Sequence, residues 1–172
     1  MPLYLYLNIF TILFPLLLSF DRKVAFYKNW PYLWPAIIIN ALLFIIWDEL
    51  FTQAGIWGFN PEYLVGIYLF NLPLEEVLFF ITVPYACVFI YECLNAYITK
   101  DLLQPYAKGI TFVLIPVLLL LAVFNLERLY TSITFTLLAA LLGAHYYYFH
   151  TQKLGRFYTA YIVHLVPFLL VN

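Results

Sequence analysis

Charge is what this sequence has least of. Only 10% of its 172 residues are Asp, Glu, Lys or Arg, where an ordinary soluble domain carries about a quarter, so a hydrated surface is out of reach. The net charge of −1 leaves no basic excess for nucleic acid. Cys87 and Cys93 lie six apart in an apolar run with no histidine near them. That spacing excludes a CxxC redox pair and a zinc site, and leaves both as packing residues. No GxGxxG precedes a helix among the six glycines, so dinucleotide or flavin binding is unsupported and no cofactor is expected. A paired aspartate-rich motif that would hold a diphosphate through magnesium is missing too. His145, His150 and His164 are scattered, and the first two are five apart; two ligands on one helix face need four, so no metal is expected. The amino terminus has no basic n-region and no small-residue cleavage site, and is expected to be retained as a first span.

What is there is oil: 66% hydrophobic residues, 22% aromatic ones and a mean hydropathy of +0.93. A helix needs roughly 20 apolar residues to cross about 30 Å of hydrocarbon. Six segments qualify, at about 2–20, 31–54, 73–98, 107–125, 129–150 and 157–171. They are too long and continuous for a β-barrel, so the fold expected is all-α, a polytopic membrane bundle of about six helices. Seven of the eight basic residues fall on one side: Arg22, Lys23 and Lys28, then Lys100 and Lys108, then Lys153 and Arg156, with only Arg128 opposite. By the positive-inside rule that side is cytoplasmic, which places the amino terminus outside, in a cell (inner) membrane. Residues 61–72 are apolar but precede Pro73, and are expected to form an interfacial or re-entrant helix. Pro73 should sit near the start of the third span, and Pro84 should kink it. Tyr146, Tyr147 and Tyr148 are expected in an interfacial belt.

Ionisable groups at membrane depth are costly and usually face a protein interior for a reason. Glu92 is close enough to the cytoplasmic end to snorkel. Asp48 ends the second span beside Trp47, with Asn40 two turns earlier on roughly the same face; Glu49 points elsewhere and is expected to face water. Glu75 and Glu76 begin the third span, and the i, i+4 rule sets Phe79 beside the first and Phe80 beside the second. A carboxyl taken out of water beside a second one can hold a proton at neutral pH and act as a general acid. Aromatic faces stabilise a developing carbocation. Together they suit protonation of an unactivated carbon–carbon double bond, and equally a proton pathway.

Pro73-Leu-Glu75-Glu76 followed by Leu78-Phe79-Phe80, preceded by Trp47-Asp48 and by Gly55-Ile-Trp57-Gly-Phe59-Asn60, resembles the small membrane lycopene cyclases. These are the heterodimeric and fused type of bacteria, archaea and, joined to phytoene synthase, fungi. The resemblance implies acid-catalysed closure of the linear ends of lycopene to β-ionone rings, in carotenoid biosynthesis and without net redox change. It implies Glu75 and Glu76 as motif carboxylates, Asp48 as relay or tuner, and Trp47, Trp57, Phe79 and Phe80 around the substrate. The family is built from two halves, each with its own acidic motif, and this chain holds one copy. Residues 1–98 are expected as a first three-helix unit, 99–127 as a connecting helix and 128–172 as the start of a second, incomplete unit, in which Lys153-Leu-Gly-Arg-Phe157-Tyr158 echoes Lys23-Val-Ala-Phe26-Tyr27. Three outcomes stay open: a partner subunit or second copy supplies the missing motif, the sequence is truncated, or the missing half leaves the chain inactive. Two other readings stay open: a proton-coupled transporter or channel subunit, and a non-catalytic carotenoid-binding subunit.

Overall fold

Proline punctuates this chain. Pro31, Pro61, Pro73 and Pro105 each stand at a helix start, where the missing N–H would have had no partner inside the helix and the fixed φ suits the first turn. The computed structural model describes residues 2–171. Its helices are α1 (Leu3–Leu18), α2 (Trp30–Gln53), α3 (Leu74–Tyr97), α4 (Ala107–Phe124), α5 (Leu129–Phe149) and α6 (Leu154–Val171), close to the six expected segments. The strands β1 (Tyr68–Leu69) and β2 (Leu72–Pro73) pair antiparallel, with Tyr68 opposite Pro73 and Leu69 opposite Leu72.

Among the described residues, four helical segments are long and apolar enough to cross a membrane: Phe26–Gln53, Leu74–Tyr97, Gln104–Phe124 and Leu129–Phe149. α1, with 16 residues, reaches about 24 Å at 1.5 Å per residue and falls short of a full crossing. The burial pattern is inside out. Ile39, Leu43 and Ile46 on α2 are exposed, whereas Asn8, Ser19, Asp48, Glu75, Thr82 and Thr111 are buried. Water would not tolerate such an outer surface, and lipid does, so the all-α chain is that of a membrane protein.

The chain divides into two compact units, Met1–Thr99 with His164–Asn172, and Lys100–Val163. In the first, α1 and α2 both pack on α3. Its core joins Phe26, Leu33, Ile37, Tyr85 and Phe89, with the Phe26 ring edge-on to Tyr85 at 5.4 Å and to Phe89 at 5.5 Å. Tyr85 is fully buried, so its hydroxyl must be satisfied inside the protein. Ser19 Oγ donates to the Pro15 carbonyl at 2.6 Å. Its only proton being so used, Tyr85 donates to Ser19 Oγ at 2.6 Å, and accepts from Trp30 Nε1 at 3.0 Å. Tyr85→Phe breaks this relay, leaving the half-buried Trp30 Nε1 without its acceptor and Ser19 Oγ with only its bond to the Pro15 carbonyl. It is expected to cost about 1–3 kcal/mol, read as a lower thermal midpoint by tryptophan fluorescence; an unchanged midpoint would refute the relay's contribution.

Between α1 and α2, Asp21 Oδ1 accepts from the backbone N–H groups of Lys23 at 2.9 Å and Val24 at 3.0 Å. The Val24 bond in particular holds the Asp21 carboxyl below the usual carboxylate range. In the second unit, Ala107, Leu118, Ala139, Leu142, Leu154 and Tyr158 form the core. There Thr111 Oγ1 bonds the Ala107 carbonyl at 2.7 Å and the Tyr158 hydroxyl at 2.5 Å.

Residues 61–72 depart from expectation. Instead of an interfacial or re-entrant helix they make a single 3-10 turn, Pro61–Tyr63, followed by the β1–β2 hairpin. The reasons are local. Asn60 caps the turn by accepting from Glu62 N–H at 3.0 Å, Gly66 takes φ +89° and Phe70 φ +56°, conformations that no helix contains. Glu49, expected to face water, also holds the hairpin turn: its exposed carboxylate accepts from Asn71 N at 3.1 Å and Asn71 Nδ2 at 2.5 Å.

Candidate functional site

The hairpin delivers Pro73 to the N-cap of α3, in extended conformation with φ −66° and ψ 150°. Leu74 N–H then bonds the Ile67 carbonyl at 2.8 Å, and Glu75 and Glu76 fall in the first helical turn. Carboxylates there gain from the helix dipole. Glu75 is 2% exposed. Its Oε1 accepts the Val65 N–H at 2.6 Å. Its main-chain carbonyl accepts Asn8 Nδ2 at 2.9 Å. Oε2 is buried and has no hydrogen-bond partner among the described residues. The hairpin thus folds over one glutamate and grips it by the backbone.

Glu76 is half-buried and interacts electrostatically with Asp48, which α2 brings up from its last turns. Asp48 is 4% exposed; Trp57 hydrogen-bonds its carboxyl, and Oδ2 lacks a partner. Three acids from two helices therefore gather at the head of α3. Among the described residues they do not converge as a metal would require.

A cavity of about 250 Å³ opens beside them between α1 and α3, lined by Tyr4, Leu7, Asn8 and Thr11 on one side and Glu75, Glu76 and Phe79 on the other. The predicted rings divide. Phe79 lines this cavity. Phe80 stands edge-on to Phe79 at 5.9 Å and stacks on Phe44 at 6.0 Å. Trp47 stacks on Phe51 at 4.9 Å, and Phe51 meets Trp57 at 5.0 Å. That column runs along the Asp48 face of α2 and is not part of the cavity wall.

Phe44 and Phe51 escaped the sequence reading although they were legible in it. With Trp47 and Asp48 they repeat at i, i+3, i+4 and i+7, one helix face. Asn8 carried a weaker signal, as a lone amide in an apolar span. The Val65 N–H carried none, since every residue but proline has one. Chemically, the arrangement offers two adjacent carboxyls on one small cavity, a third acid behind one of them, and ring faces nearby. It can pass a proton to and from an apolar group and stabilise a cation.

Comparison with known proteins follows the same line. The lycopene cyclase family model matches residues 1–94 and 127–172. The chain is 28% identical over 122 residues to the bifunctional lycopene cyclase/phytoene synthase of Aspergillus oryzae, covering 70% of this chain and 19% of that protein. It is 33% identical over 92 residues to the like-named protein of Leptosphaeria maculans, covering 53% of this chain and 14% of the relative. The chain thus spans under a fifth of the length of these relatives. No solved structure matches it. A family match that takes in α1 to most of α3, and α5 with α6, extends over most of the sequence, and on it the chain belongs to the lycopene cyclase family.

Proposed function

We propose that this protein is a lycopene β-cyclase, an intramolecular lyase or isomerase that closes lycopene end groups to β-ionone rings. The observation that carries the reading is the pair Glu75 and Glu76 on one cavity at the head of α3. The two acids have different surroundings and take different roles. Glu76, beside Asp48, is the acid that protonates the terminal double bond. The next alkene attacks the resulting cation and the ring closes. Glu75, with Oε1 occupied by Val65 and Oε2 without a partner, accepts the proton that the ring releases. One proton enters and one leaves, so the substrate is isomerised with no net change and no cofactor. Transfer from Glu75 to Glu76 then resets the site. Phe79 faces the cation directly, while Phe80, Trp47 and Trp57 form the aromatic surroundings.

The cavity is small, which suits one end group entering from the bilayer while the polyene stays in lipid. In this reading residues 1–98 form one unit, 99–127 a connector and 128–172 belong to a second. In this reading a partner subunit, or a second copy, brings another acidic motif. On the same reading the protein sits in the cell membrane with its basic connections on the cytoplasmic side.

Expression in a lycopene-accumulating bacterium tests the proposal. Pigment extracts are expected to contain β-carotene or γ-carotene in place of lycopene. Unchanged lycopene in cells that hold folded, membrane-inserted protein, with and without a candidate partner, would sink it.

A further inference from the structure

α1 is an apolar helix with a single amide in it. Asn8 is 7% exposed, and a buried amide is tolerated in such surroundings only where its hydrogen bonds are made. Its Nδ2 donates to the Tyr4 carbonyl, one turn back, at 3.0 Å and to the Glu75 main-chain carbonyl at 2.9 Å. Both partners are pure acceptors, so the nitrogen end is fixed, and Oδ1 accepts from the Thr82 hydroxyl at 2.7 Å. One face of Asn8 meets the cavity. The side chain therefore spans from α1 to the main chain of an acid 67 residues away, at the point where that acid enters its helix.

We propose that Asn8 is a positioning residue for the acid site, holding the Glu75 main chain and with it the place of its carboxyl beside the cavity that both residues line. Asn8 fixes the carbonyl of Glu75, and Val65 fixes Oε1. Two grips at opposite ends of one residue define where the remaining oxygen, Oε2, can be. A displacement of about 1 Å in a reacting group costs on the order of a hundredfold in rate, so the residue that sets the backbone of that group controls turnover without touching substrate chemistry. Simple glue between α1 and α3 is the competing role, and the Thr82 bond separates the two, because it joins the helices without reaching Glu75. The inference rests on the cyclase reading of this site.

The test compares Asn8→Leu, which is nearly the same size, with Thr82→Val, both in the full chain in native membranes with lycopene. Asn8→Leu is expected to lower kcat by about 10- to 100-fold with KM and the amount of folded protein little changed, while Thr82→Val stays near wild type. An infrared band of the Glu75 carboxyl, identified by its loss in Glu75→Gln, is expected to shift in Asn8→Leu and to hold its position in Thr82→Val. Equal losses in the two variants, or wild-type kcat with an unmoved band in Asn8→Leu, would overturn the proposal. Should Asn8→Leu not accumulate, Asn8→Ala gives the same two readouts. A wild-type protein without cyclase activity removes the functional reading, and the infrared comparison alone then decides for or against Asn8.

Discussion

Cyclisation is expected to fall by about a thousandfold when Glu76 is replaced by Gln, the middle of the range for losing a positioned general acid. Glutamine keeps the shape and the hydrogen-bonding oxygen but has no acid proton to give. Glu75→Gln is expected to lose a comparable factor as the general base is removed; its amide oxygen can still accept from Val65 N–H, so the hairpin should remain in place. Asp48→Asn is expected to do less, because Asp48 acts on Glu76 from behind and does not line the cavity. Each variant is measured as the ratio of cyclised pigment to lycopene at matched protein content in the membrane. Full conversion by both glutamine variants would remove the site assignment. An intact Glu76→Gln with a dead Glu75→Gln would remove Glu76 from the proton transfers and leave Glu75 as the essential carboxyl.

Gly155→Ala is expected to destabilise the second unit by about 3 kcal/mol. Helix propensity alone argues the opposite sign, since alanine is better than glycine in a helix by about 1 kcal/mol. The close approach decides. A Cβ on Gly155 would overlap the backbone nitrogen of Gln104, lie 2.5 Å from its Cα and 2.8 Å from Asp101 Oδ1. The backbone there cannot simply move aside. Asp101 Oδ1 accepts from Leu103 N–H at 3.3 Å and Gln104 N–H at 3.2 Å. The Gln104 side chain spans Gly155 N–H at 3.2 Å and the Thr151 carbonyl at 2.8 Å, so the substitution disturbs all of these bonds together. Gly143 on α5 is the control, with nothing within 4 Å of an added Cβ, and Gly143→Ala is expected to be neutral or stabilising by up to about 1 kcal/mol. Thermal unfolding in detergent micelles checks both. A Gly155→Ala midpoint at or above wild type would contradict the clash.

The helices were legible because hydropathy over roughly 20 residues is a strong signal, and prolines mark several starts. The acidic pair was legible because carboxyls in an apolar run are expensive. Residues 61–72 were misread for the same reason that the helices were read well. Apolar composition there looked like another helix, although hydropathy does not distinguish a helix from a hairpin lying at the membrane's edge. Gly66, and the turn at Phe70 and Asn71, carried the contrary information in backbone conformation. The partner of Glu49 was not legible, since no local pattern reveals that an asparagine 22 residues later will bind an exposed carboxylate.

The sequence by itself determined the solvent, the helix content and the identity of the two adjacent acids, all properties of composition and short-range order. The tertiary structure alone decided which acid is tied to Val65, which one meets Asp48, and that Asn8 of α1 closes on the Glu75 backbone. The physical reason lies in the membrane. A soluble helix shows its inner face by an apolar stripe, but these helices are apolar nearly all round, so periodicity marks no face. Backbone N–H and C=O groups carry no side-chain signature at all. The contacts that give two neighbouring glutamates different surroundings are made by just those groups.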